Sequence, residues 1–239
     1  MDPPEGGMSF FDHLAELRTH LIRIVVALVL CGGAGLFFAP SILKYLVSPY
    51  GSQLIVIGPT EGFSVYMRIA FTAGAILAMP IAFLEIWRFI SPGLLPRERR
   101  YAYAVIPCAI ALFLAGSGFA WFVLIPVAVR FLSGFLPDVF KTQWTSGRFY
   151  PFVTSLLFWV GLFFELPLVV FVLAKLRIVT AGMLLKGWRV AIIAITIVAA
   201  VITPTVDAFN MMLVALPMVA LFFLSIFLAA LAQRKPGKP

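Results

Sequence analysis

Long apolar runs separated by short polar or proline-rich breaks dominate this chain, and six of them are long enough, or nearly so, to cross a bilayer as helices. Residues 1–8 carry Asp2, Glu5 and two prolines and read as a disordered tail. Ser9, with Asp12 three positions on, has the form of a capping box that opens an amphipathic helix over 9–20. Phe10, Leu14, Leu17 and Leu21 share one face of it, while Asp12, Glu16, Thr19 and Arg23 share the other. Such a segment lies at a membrane surface before entering, with Glu16 turned toward water.

The first span is predicted at about 21–39, where Gly32, Gly33 and Gly35 leave room for a neighbouring helix. A loop follows to residue 62, containing Pro49, Gly58 and Pro59, with a short interfacial helix around Ile42, Leu43, Tyr45 and Leu46. The second span, 63–90, exceeds the roughly 20 residues needed to cross and is kinked at Pro80. A third, 101–125, is lined by small residues and ends at Pro126; a second surface-lying helix follows it, then the interfacial anchors Trp144, Phe149 and Tyr150. The fourth, 151–174, is closed by Lys175 and Arg177. In the fifth, 188–202, the uninterrupted apolar part from Val190 to Ile202 makes only about 20 Å of helix. Against a hydrocarbon core of roughly 30 Å it predicts local thinning. The sixth, 208–232, is interrupted by Pro217. The expected fold is therefore all-α, a single polytopic membrane domain over 1–239 with six transmembrane helices and no inverted repeat.

Composition agrees: 62% of residues are hydrophobic and 12% charged, with a mean hydropathy of +1.06. The net charge of +8 would suggest nucleic acid in a soluble domain, but most basic residues here flank apolar runs. Six spans put both termini on one side. Assigning that side to the cytoplasm collects thirteen of the 18 lysines and arginines, and leaves Lys44, Arg130, Lys141 and Arg148 opposite, with Arg68 one turn inside the second span. The orientation is thus N-in/C-in. No cleavable leader is expected, because the first fifteen residues are not basic then apolar. Cys31 and Cys108 lie within apolar runs and read as small buried hydrophobes without a disulfide. His13 and His20 lack the companions of a metal site, and no nucleophile with a base, or phosphate-cradling loop, points to an enzyme or a cofactor.

Charge within the apolar frame is sparse. Pro92-Gly93 ends the second span, and the tip that follows carries Arg97, Glu98, Arg99 and Arg100. Glu16 and Glu98 fall on the same face of the membrane. Each either balances its own arginine neighbours, Arg18 for the first, or offers a carboxylate to a cationic ligand such as an arginine fork. Glu165 lies about 15 Å of helix from Lys175, near mid-membrane. Inserting an acid there costs roughly 2.5 kcal/mol or more, which points to a functional or paired role, the simpler alternative being a hydrogen bond to a neighbouring helix. Glu85, near the end of the second span, can snorkel and pair with Arg88. A lone intramembrane acid also permits a different class of function, a proton-coupled small-solute transporter using Glu165.

Four dispersed segments, His13-Leu14-Ala15-Glu16-Leu17-Arg18, Pro92-Gly93-Leu94 through Glu98-Arg99-Arg100, Phe164-Glu165-Leu166-Pro167 and Thr203-Pro204-Thr205-Val206-Asp207, resemble in order those of the TatC family, the multi-span subunit of the twin-arginine protein translocase. The resemblance covers nearly the whole chain. It implies a receptor in the bacterial inner (cytoplasmic) membrane that recognises the paired arginines of signal peptides on folded cargo. Glu16 and Glu98 would supply the carboxylates, and Arg18, Phe89 and Pro92 the supporting surface. It further implies an oligomeric complex, with single-span partners of the TatA and TatB type docking near Glu165 and Pro167, and transport driven by the protonmotive force. Pro49 and Asp207 fall at further family-motif positions. Glu85 departs from the family pattern, where an uncharged polar residue such as glutamine is expected.

Overall fold

The computed structural model describes residues 10–48, 54–90, 99–136, 138, 142–203 and 207–233. The expected tail over 1–8, Pro49 and the hairpin tip with Pro92 and Glu98 lie outside the described residues. The chain runs α1 (Phe10–Val47), α2 (Glu61–Ile90), α3 (Arg99–Phe119), a π-helical turn (Ala120–Leu124), α4 (Ile125–Ser133), α5 (Ser146–Phe163), α6 (Leu166–Lys175), α7 (Ala181–Lys186), α8 (Trp188–Ile202) and α9 (Ala208–Gln233). Five stretches are long and apolar enough to cross a membrane, Leu14–Val47, Glu61–Phe89, Val105–Ser133, Ser146–Lys175 and Ala208–Gln233, and α8 is a shorter apolar helix. The protein is an all-α polytopic membrane protein, and six spans are consistent with this arrangement. Its outside is apolar: Phe37 is 81% exposed and Val201 79%, surface suited to a hydrocarbon surrounding.

Three boundaries differ from the sequence expectations. The surface helix over 9–20, the span over 21–39 and the interfacial turn around Ile42 are one helix, α1, which continues through Pro40. Proline lacks the N–H that would bond to the carbonyl four residues back, here that of Leu36. Tyr66 of α2 donates its hydroxyl to that same carbonyl at 2.7 Å. With the freed acceptor satisfied from a neighbouring helix, the chain need not leave helical geometry.

The third span likewise passes its expected end at Pro126 and reaches Ser133. The π turn absorbs the proline: Ile125 donates to the Ala120 carbonyl five residues back, a wider register that accommodates the missing donor at the next position. The fourth span is broken. Helix α5 ends at Phe163, Glu165 N–H bonds only three residues back to Leu162, and α6 restarts at Leu166 with Pro167 in its first turn. Proline is tolerated there because its absent N–H would have no intrahelical partner.

Small residues set the α1–α2 contact. A Cβ on Gly35 would run into the Ala70 carbonyl, and one on Gly74 would lie 2.5 Å from Gly32 Cα, so the two backbones approach as closely as packing in lipid allows. Nothing lies within 4 Å of where a Gly33 side chain would begin, and that glycine takes no part. Phe149, Phe152, Leu124, Ile69 and Met218, each fully buried, form the centre of the bundle.

Candidate functional site

Helices α1 and α2 meet at the end of the bundle where α2 leads into 91–98, and they bring a charged cluster together there. Glu16, His20 and Arg23 recur every three or four residues on α1, and Arg88 and Phe89 follow Glu85 by three and four residues on α2, so each set occupies one face of its helix. Glu85 is only 4% exposed and stands at the centre. Its Oε2 lies 2.7 Å from His20 Nδ1 and 3.4 Å from Arg23 Nη1, and its Oε1 accepts from Arg88 Nη1 at 2.7 Å. A carboxylate so enclosed needs these donors, because an uncompensated buried charge costs several kcal/mol, roughly. Glu85 therefore does not snorkel. It does pair with Arg88, and it pairs equally with His20, a contact to which no neighbouring position in the sequence points.

His20 extends the cluster outward. Its Nε2 is 3.9 Å from Glu16 Oε1, and its ring meets Phe89 edge-on with centroids 6.1 Å apart. Glu16 is half-buried and turned toward His20 rather than wholly to water, while Arg18 is exposed. Leu14, Leu17 and Leu21 are exposed on the opposite face, as a lipid-facing stripe requires. Of the residues expected to form the ligand surface, the structure thus connects Glu16 and Phe89 through His20.

A second polar locus lies within the apolar belt. The break between α5 and α6 sets the Glu165 side chain, 5% exposed, into a cavity of about 290 Å³ whose walls include Phe83, Trp87, Val105, Ala109 and Leu162. Glu165 and Trp87 both line it, and Glu165 Oε1 and Trp87 Nε1 are buried without a hydrogen-bond partner among the described residues. An acceptor and a donor left open in one apolar cavity are suited to a ligand that is apolar along its length and polar at one point. Pro167 is buried in the first turn of α6 and maintains the break.

Asp207 stands at the start of α9 and caps it, its Oδ1 accepting from Asn210 N at 2.7 Å and its Oδ2 from Asn210 Nδ2 at 2.8 Å. Among the described residues no three His, Cys, Asp or Glu side chains converge as metal ligands, and Cys31 and Cys108 are free thiols.

Over this frame, the sequence model of the family described as Sec-independent protein translocase protein (TatC) matches residues 12–217, a stretch that contains Glu16, Glu85, Glu98, Glu165 and Asp207. The chain belongs to the TatC family. A TatC from Carboxydothermus hydrogenoformans is 37% identical over 231 residues, 95% of each chain. Bacillus subtilis TatCy is 33% identical over 97% of this chain and 92% of its own. The chloroplastic TATC of Pisum sativum is 32% identical over 97% of this chain and 67% of its own. Among solved structures, a crystal structure of the twin arginine translocase receptor TatC superposes with a TM-score of 0.86 at 32% identity, covering 93% of this chain and all of that one. Membership of the TatC family makes this chain a multi-pass component of a protein translocase rather than an enzyme.

Proposed function

We propose that this TatC-family chain is the receptor and core subunit of a twin-arginine translocase in the bacterial inner membrane, with both termini in the cytoplasm. Glu16 and Glu98 bind the paired arginines of a signal peptide on folded cargo, and Phe89, Pro92 and Arg18 form the surface around them. The observation that carries this reading is the likeness, over nearly the full length, to a protein described as the twin arginine translocase receptor. The α1–α2 clamp supports it. Glu16 is held half-buried where α1 packs against α2, and a carboxylate fixed in such a setting accepts an arginine fork without first losing side-chain freedom.

Single-span partners of the TatA and TatB type dock beside Glu165, where the open donor and acceptor meet an apolar helix, in an oligomeric complex driven by the protonmotive force. Photo-crosslinking and equilibrium binding of a twin-arginine signal peptide to the full chain test the receptor role. Glu16→Gln and Glu98→Gln should each weaken binding about tenfold. Binding that is unchanged in the double variant would overturn the assignment.

A further inference from the structure

At the other end of the bundle, where Glu61 opens α2, a charged site stands apart from both loci above. Arg68 follows Glu61 by two turns, about 10 Å along the axis, and lies on the outside of the bundle within a membrane-crossing segment. The arginines near Glu85 have a buried carboxylate to meet. Arg68 has neither ion pair nor hydrogen bond among the described residues. A guanidinium on the outside of a membrane-crossing segment, near its end and without a counter-charge, is costly to leave unpartnered and is a candidate binding position.

What surrounds it is polar at one point. A cavity of about 270 Å³ between α2 and α5 is lined by Arg68, Thr72, Ser155, Thr154, Phe158 and Trp159. Hydroxyls on helices in apolar surroundings bond to the carbonyl four residues back, as Thr154, Thr196, Thr203 and Ser225 do here. Thr72 and Ser155 make no such bond and are half-buried in the cavity wall, so two hydroxyls and a guanidinium stay open toward one space. Trp159 and Phe71, 41% and 63% exposed, supply an aromatic rim. A second cavity of about 480 Å³, sharing Thr72 and Thr154 and otherwise lined by apolar side chains such as Phe38, Ile42, Ile76 and Leu157, adjoins it between α1, α2 and α5.

We propose that Arg68, Thr72 and Ser155 bind the phosphate of an anionic phospholipid in the leaflet at the Glu61 end, with an acyl chain in the adjoining apolar cavity. A guanidinium and two hydroxyls match the several oxygens of a phosphate better than the two of a carboxylate. Basic pockets between transmembrane helices take lipid head groups, and the apolar cavity beside this one is what a lipid needs and a free anion does not. The inference is independent of the signal-peptide reading.

Native mass spectrometry of the full chain, released from detergent after incubation with phosphatidylglycerol or with diacylglycerol of the same acyl chains, tests it. The unaltered protein should retain phosphatidylglycerol and not diacylglycerol. Arg68→Gln should lower retention about tenfold, Arg68→Lys should restore most of it, and the Thr72→Val, Ser155→Ala pair should lower it severalfold with the charge still present. Arg130→Gln, which removes another exposed arginine, should change nothing. Equal retention by the unaltered protein and Arg68→Gln would overturn the site, whether because a partner's carboxylate or no ligand occupies it. So would equal losses in Arg68→Gln and Arg130→Gln, or displacement of the lipid by millimolar inorganic phosphate.

Discussion

His20 Nδ1 and Glu85 Oε2 lie 2.7 Å apart across the α1–α2 contact, although 65 residues separate them in the chain. The pair closes a buried path from Glu85, which two arginines also engage, to Glu16 and Phe89 on the surface proposed for the signal peptide. At position 85 this chain buries a carboxylate and supplies a histidine to meet it.

Removing that carboxylate should therefore loosen the clamp. Glu85→Ala leaves His20 facing a void and is expected to destabilise the protein by about 2 kcal/mol, less than a fully buried pair would lose because Arg23 and Arg88 are more than half exposed. Glu85→Gln keeps a hydrogen bond to His20 and should cost less than half as much. Thermal unfolding in detergent gives the first comparison. Signal-peptide affinity, falling in the same order with Glu16 intact, gives the second; affinity unaffected by Glu85→Ala would separate the clamp from the receptor surface.

Tyr66 and Pro40 should be energetically coupled through the Leu36 carbonyl. Tyr66→Phe strips the replacement for the bond that Pro40 cannot make and should cost roughly 1–3 kcal/mol. In a Pro40→Ala background the alanine N–H can bond to Leu36, and the same change should be nearly neutral. A double-mutant cycle measured by unfolding reads the coupling directly, and additive effects would contradict it.

At Glu165 an amide can still hydrogen-bond to a partner helix and a methyl cannot. Glu165→Gln should retain much of the crosslinking to a single-span partner, whereas Glu165→Ala should lose it while signal-peptide binding persists. Interhelical hydrogen bonds in membranes contribute about 0.6–2 kcal/mol, so the loss should be severalfold rather than absolute. If both variants stopped transport completely with partner crosslinks intact, proton chemistry at this acid would be the better account.

Glu61 joins two segments far apart in the chain. Its carboxylate accepts from the backbone N–H groups of Ile57 and Gly58 in the loop before α2 and of Gly147 in the first turn of α5, beside a parallel bridge in which Ile55 N bonds to Trp144 O at 3.1 Å and Ser146 N to Ile55 O at 2.9 Å. Glu61→Ala should raise amide exchange at Ile57, Gly58 and Gly147 by tenfold or more, with the α1–α2 amides near Glu85 unchanged. Exchange that rises evenly through the bundle would mean a general loss of stability instead.

Much of this protein is readable from contiguous residues. The apolar runs that become helices, the isolated acid at Glu165 and the motif segments around Glu16 and Asp207 are properties of neighbouring positions, because a run either matches the thickness of a bilayer or does not. What lay beyond reach was decided between helices or by a shift of register within one. Pro40 reads as an end until Tyr66, from another helix, satisfies the carbonyl that the proline leaves open. Pro126 does too, until the π turn before it shifts the hydrogen-bond register. Glu85 reads as a snorkelling surface acid, because nothing nearby in sequence indicates that Gly35 and Gly74 draw α1 and α2 close enough to bury it against His20. A charge takes its partner from the register in which helices pack. That register is set by small-residue contacts about three to four turns away along each helix, which only the tertiary structure brings together.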